Sequence, residues 1–212
     1  MKKALFAVLF FSISLIAQEK MTFEFDYSRF NYDSSRTYLE IYYSLSQKSL
    51  TPYFEANKKY IGAYLHVSII DTLNKEVLLD RLYQSKSEIK ANDDSYKEQN
   101  LLGNLGFVLI KGTYLFKITG TDIADSNKTL TFNEIINISE FPQNAFSISD
   151  VQLATKIISD SQNESSIFYK NTLEVIPNPH TIYTEQMPVL FFYSELYNLN
   201  LPQYKGKALI LM

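Results

Sequence analysis

The stretch "YIGAYLHVSII", residues 60–70, limits the possible folds of this chain more than any other. Ile61, Ala63, Leu65, Val67 and Ile69 fall at every second position, with Tyr60, Tyr64 and His66 between them. Period two is the spacing of a strand with one buried face, and no helix would gather those five side chains on one side. A strand of this kind needs neighbours, and the chain supplies them. In "TFEFDYSRF" Phe23, Phe25 and Tyr27 face one way and Glu24, Asp26 and Ser28 the other. In "TYLEIYYSL" Leu39, Ile41, Tyr43 and Leu45 point inward, leaving Tyr38, Glu40 and Tyr42 outward.

The remaining text to residue 140 continues the pattern. Asp71–Asn74 make a turn and "KEVLLDRLY" returns as a hairpin partner. Residues 84–100, "QSKSEIKANDDSYKEQN", lack apolar periodicity and read as a long loop with room for one edge strand. "LLGNLGFVLI" restores the apolar signal. In "KGTYLFKITGTD" Gly112 makes the turn and Tyr114, Phe116 and Ile118 share a face. A Gly-x-Tyr opening to a late strand predicts a structural Tyr114 whose hydroxyl caps a corner loop. "TLTFNEIINI" closes the sheet. The prediction is all-β: an immunoglobulin-like or fibronectin-like β-sandwich over residues 22–140. Composition agrees, since 16 Tyr and 15 Phe with recurrent Thr, Ile and Val suit pleated, half-buried surfaces.

Pro142 in "EFPQNAFS" breaks the pattern and marks a junction. A second β domain, residues 146–212, is expected to follow. In "ISDVQLATKI", Ser149 and Gln152 match a helix capping box, but Val151, Leu153, Thr155 and Ile157 alternate, which favours a strand. "FYKNTLEVIP", "MPVLFFYSELYNL" and "YKGKALILM" supply further strands, and Pro177 and Pro179 form the structural break before the aromatic run. "VLFFY" is apolar on both faces, as a central strand is. Too little chain follows to cover it, so this second sandwich is expected to be incomplete, with Leu190–Tyr193 less well covered than Ile61–Ile69.

Residues 1–17, "MKKALFAVLFFSISLIA", carry two lysines and then a 13-residue apolar run from Ala4 to Ile16. That run is short of the roughly 20 residues a membrane-spanning helix needs and reads as a cleaved secretory leader. Export is implied, with no transmembrane segment after cleavage. Losing Lys2 and Lys3 lowers the 20 basic residues to 18 against 23 acidic ones. An acidic surface repels phosphate backbones and argues against nucleic acid as a partner. Cysteine is absent, so thiol nucleophiles, thiolate metal sites and disulfides are all excluded.

Three stretches carry a family resemblance: "FDYSRFNYDSSRTYLEIYYSL", "FSISDVQLATKI" and "LEVIPNPHTIYTEQMPVLFFYSELYNL". In this order and spacing the chain resembles the N-terminal region of bacterial GWxTD-domain proteins, which are exported envelope proteins, and the resemblance implies export to the envelope of a Gram-negative-type bacterium. The resemblance implies two β-sandwich segments followed by a C-terminal module that bears a Gly-Trp-x-Thr-Asp motif. Trp is absent here, so that motif is missing and no functional residue is carried over from it.

Catalytic candidates are sparse. His66 sits beside Tyr60 and Tyr64, and His180 follows "PNP"; no spacing pairs them as metal ligands, and exposed sheet and turn positions account for both. Asp93, Asp94, Asp122 and Asp125 read as solvated loop charges, and "DIADSN" lacks the Gly and terminal Glu of a calcium loop. Glu195 interrupts an apolar run, where a hydrogen bond to a Tyr hydroxyl or an edge position explains it. No phosphate-cradling or nucleophile-elbow motif occurs. The expectation is a non-enzymatic module without cofactor or metal, whose partner is an envelope protein or a glycan. Tyr38, Tyr42, Tyr60, Tyr64 and His66 are the candidate binding surface, covered instead if the 84–100 loop or the second domain lies over it.

Overall fold

The computed structural model describes residues 20–90, 93–185 and 188–204. The leader read at residues 1–17 and the strand expected beyond Tyr204 lie outside the described residues. Two antiparallel sheets form the first unit. One is three-stranded, in the order β1 (Phe23–Asn31), β2 (Arg36–Ser46), β6 (Asn100–Ile110). The other is five-stranded and built on β4 (Lys58–Asp71), which pairs β5 (Val77–Ile89) along one edge. Its other edge pairs β3 (Tyr53–Glu55) and β7 (Gly112–Asp122), and β7 pairs β8 (Thr129–Ile138). No α-helix occurs among the described residues, and none there is long and apolar enough to cross a membrane.

The two sheets face each other across one core. Leu39, Ile41, Tyr43 and Leu45 of β2 meet Ile61, Ala63, Leu65, Val67 and Ile69 of β4 and Tyr114, Phe116 and Ile118 of β7. All-β sandwich is therefore the architecture, and burial of each large aliphatic side chain favours it by roughly 1.5–3 kcal/mol. Phe132 closes one side against Phe23 and Phe25, ring centroids 5.5 and 5.1 Å away. Gly103 lies opposite Tyr43 because the tyrosine ring crosses β6 there: a Cβ on Gly103 would stand 2.0 Å from Tyr43 Cζ. The Tyr114 hydroxyl donates to the Ile110 carbonyl at 3.0 Å, and Gly112 leaves room for it.

One stretch takes up the strand that its sequence reading left room for. Residues 84–89, read as loop with room for an edge strand, are the second half of the edge strand β5, paired to β4 through Ile89. Ser85 and Ser87 occupy the inward positions opposite Ala63 and Ile61, so the alternation persists with small polar residues where apolar ones were sought.

After residue 140 the chain forms a four-stranded sheet in the order β11 (Tyr169–Lys170), β12 (Leu173–Pro177), β10 (Gln152–Ile158), β13 (Phe191–Tyr193). A two-stranded ribbon joins β9 (Ser147–Ile148) to β14 (Leu196–Tyr197). "FYKNTLEVIP" is thus a hairpin, turned by Asn171 and Thr172 at φ of 49° and 67°. Among the described residues "VLFFY" lies at the edge of this sheet, where β13 pairs only with β10, and not at its centre. Phe192 is 57% exposed and Leu190 53%, whereas the inward side chains of β4 are sealed. β10 is a strand, but Gln152 and Ala154 are its buried residues, and Val151 is exposed. A bulge between Ala154 and Lys156 shifts the register, so Ile157 rejoins the inner face. Phe30, Ala154, Val175 and Tyr193 form a small second core, with Tyr38 and Phe191 packed against it. Phe30 and Tyr38 belong to β1 and β2, so the second unit rests on the outer face of the three-stranded sheet.

Candidate functional site

Alternation puts Glu40 and Tyr42 on the outer face of β2, and the second unit covers that face. Tyr42 is 1% exposed and Glu40 7%. Lys170 of β11 comes down onto them. Its ammonium pairs with the Glu40 carboxylate and donates to Gln152 Oε1 at 2.8 Å, which is why a glutamine takes an inward place on β10. Three rings surround the ammonium: Phe30 at 4.7 Å, Tyr193 at 5.2 Å and Tyr42 at 5.5 Å from their centroids. Tyr42 donates its hydroxyl to Glu40 at 2.5 Å. Burial pulls the Lys170 pKa down, and the Glu40 carboxylate opposes that shift. Burial pushes the Tyr42 hydroxyl up, and the neighbouring Glu40 charge adds to it.

Two further ties bind the units, and a third cluster braces the second unit internally. Arg29 of β1 clasps Asp150 at 2.7 Å. His180, in the turn set by the buried Pro177 and Pro179, reaches Glu24 of β1, Ser44 of β2 and Asn100 of β6, the last at 3.0 Å. Glu195 accepts the hydroxyls of Tyr193 and Tyr197, each at 2.6 Å, and the Asn171 amide at 3.1 Å. Burial raises both tyrosine pKa values, and the Glu195 carboxylate raises them further. Ser149 opens no helix; its hydroxyl accepts the Glu195 backbone N–H at 2.8 Å and so locks the β9–β14 ribbon.

Beside Lys170 the two units leave a cleft of about 350 Å³. Glu40 and Lys170 lie at its floor, and Tyr32, Tyr38 and Tyr169 line it with Asn31, Asn171 and Glu195. At its rim the Arg36 guanidinium stands 4.8 Å over the Tyr32 ring and pairs with Asp33. The Arg36 side chain and nearby backbone N–H groups hold the Asp33 carboxyl at about 2. Asn31 donates its backbone N–H to the Tyr197 hydroxyl at 3.0 Å, but its side-chain Oδ1 is buried without a hydrogen-bond partner.

The five residues named as one binding surface are divided by this geometry. Tyr38 and Tyr42 lie on the outer face of one sheet, Tyr60, Tyr64 and His66 on the outer face of the other, with the whole core between them. Tyr42 is lost to solvent altogether, and only Tyr38 reaches the cleft. On the far face Tyr60 stacks beside Tyr53 at 6.0 Å and under the Lys86 ammonium, and His66 pairs with Asp80. Asp122 is a turn residue, accepting backbone N–H groups from Thr51, Ala124 and Asp125. Among the described residues no group of three or more His, Asp or Glu is placed to hold a metal ion. Sequence reasoning missed Lys170, Arg29, Asp150 and both asparagines. Its one available signal was Glu40, an acid among outward aromatics in "YLEIYY", where a covered face needs a buried counter-charge. No family model matches the chain, and no curated protein or solved structure was found to match it.

Proposed function

We propose that this chain is a non-catalytic, exported module that binds other polypeptides of the cell envelope, and that it corresponds to the N-terminal region of GWxTD-domain proteins. The observation that carries the reading is the edge of β13 that no described strand pairs. Among the described residues β13 pairs only with β10, and Val189, Leu190 and Phe192 stand exposed beside it. An open edge with adjoining apolar side chains is the geometry that accepts an added strand from a partner. The ionisable groups that burial perturbs support a non-catalytic role, because they are spent on one another: Lys170 on Glu40, and Tyr193 and Tyr197 on Glu195.

The three stretches that carry the resemblance come together in the fold. Arg29 and Phe30 come from the first, Asp150 from the second, and His180, Tyr193 and Glu195 from the third, and all of them meet at one interface. The test is photo-crosslinking in intact envelopes from a probe at position 192. Discrete adducts with a second protein, lost on Leu190→Lys, are expected. Absence of adducts, or a hydrolytic activity of the purified chain that Glu195→Gln removes, would overturn the proposal.

A further inference from the structure

We infer that the cleft between the two units is a saccharide-binding site sized for one or two pyranose rings. Its 350 Å³ lies at the small end of the range for ligand cavities. Tyr32, Tyr38 and Tyr169 give it aromatic walls, the surfaces against which the C–H faces of a sugar ring stack. Tyr32 is exposed at the rim, so one wall is open to an arriving ligand.

The unused polar groups determine the class of ligand. Asn31 Oδ1 is a buried acceptor with no donor, and a buried acceptor left in that state carries its full desolvation penalty. Asn31 is one of the residues that line the cleft. Glu195 receives Tyr193 and Asn171 on Oε1 but only Tyr197 on Oε2, leaving acceptor capacity there. The cleft therefore asks for donors. The aromatic cage at the floor is already filled by the Lys170 ammonium, so the place that would hold a cationic donor is taken. A neutral ligand with several hydroxyls and an apolar ring face satisfies both conditions.

The experiment is calorimetric titration of the full chain with cellobiose, maltose and N,N′-diacetylchitobiose, with arginine methyl ester as the cationic contrast. Tyr32→Ala removes an exposed wall, Asn31→Leu removes the orphan acceptor, and Tyr64→Ala on the opposite sheet serves as control, each checked for folding by circular dichroism. Saturable binding of at least one disaccharide is expected, weakened about tenfold by Tyr32→Ala. Asn31→Leu should weaken it as well, and Tyr64→Ala should leave it unchanged. The inference fails if none of the three sugars binds at millimolar concentration, if only the arginine ester binds, or if binding follows Tyr64 and not Tyr32.

Discussion

Arg29 and Asp150, 121 residues apart in the chain, hold each other by four hydrogen bonds. Arg29 Nε and Nη2 donate to the two carboxylate oxygens at 2.7 and 3.0 Å. The Arg29 backbone N–H donates to the same carboxylate at 3.0 Å, and the Asp150 backbone N–H donates to the Arg29 carbonyl at 3.1 Å. The remaining guanidinium nitrogen, Nη1, reaches the Asn137 carbonyl of β8 at 2.7 Å. One side chain thus joins both sheets of the sandwich to the start of the second unit.

Because the pair is bidentate but partly solvated, its coupling should exceed that of an ordinary surface ion pair and fall short of a buried one. A double-mutant cycle with Arg29→Met and Asp150→Asn, read by urea denaturation, should return about 1 kcal/mol or slightly more. A coupling indistinguishable from zero would mean that this pair contributes nothing net to holding the second unit.

Lys170 is the reverse case. Its ammonium is nearly enclosed, and Lys170→Met would leave the Glu40 carboxylate buried beside three aromatic rings with no counter-charge. A loss of about 3–5 kcal/mol is expected. Adding Glu40→Gln should restore most of it, since removing both charges also removes both desolvation costs. A double variant no more stable than the single one would count against the buried-charge explanation.

Asp26 gives a pH signature. Burial raises its pKa above the ordinary 3.8, a backbone hydrogen bond from Tyr27 opposes the shift, and the charge on Asp150 adds to it. A raised folded pKa means that this group's contribution is fully present below 3.8 and is lost as pH rises through the folded value. Ionised Asp26 is therefore a liability at neutral pH. Asp26→Asn should raise the thermal midpoint at about pH 7, and the gain should disappear at about pH 3. An equal gain at both pH values would exclude ionisation as the cause.

Two glycines of β6 should respond differently to the same change. A Cβ on Gly103 would lie 2.0 Å from Cζ of the buried Tyr43 ring, which has nowhere to go. Gly103→Ala should cost about 1–3 kcal/mol, and Tyr43→Leu in the same chain should relieve the clash. At Gly106 the obstacle is the hydroxyl of half-buried Tyr38, which can swing outward. Gly106→Ala should destabilise less and, by displacing Tyr38 from the cleft, should weaken any ligand bound there. Chemical denaturation of both variants checks the order.

The strands of the first sandwich were legible because their signal is local. β4 shows its buried face in eleven consecutive letters, and the core formed by Ile61, Leu65 and Val67 needs no knowledge of any other part of the chain. Residues 84–89 were legible only as room for an edge strand, since Ser85 and Ser87 fill inward positions without an apolar mark. On β10 the expected face was inverted: Gln152 turns inward to meet Lys170, and the bulge brings Ile157 back.

By itself, then, the sequence determined the all-β class, the alternation of β1, β2, β4 and β7, and the inward or outward side of Tyr38, Tyr42, Tyr43, Tyr64 and Tyr114. Tertiary structure alone decided what lies over each side. Tyr42 and Tyr64 carry the same outward mark, yet one is sealed by a lysine 128 residues further along and the other faces solvent. Period two is set by the backbone of a single strand. Coverage is set by where a distant segment packs, and that depends on pairing Lys170 with Glu40 and Arg29 with Asp150, contacts that no local pattern encodes.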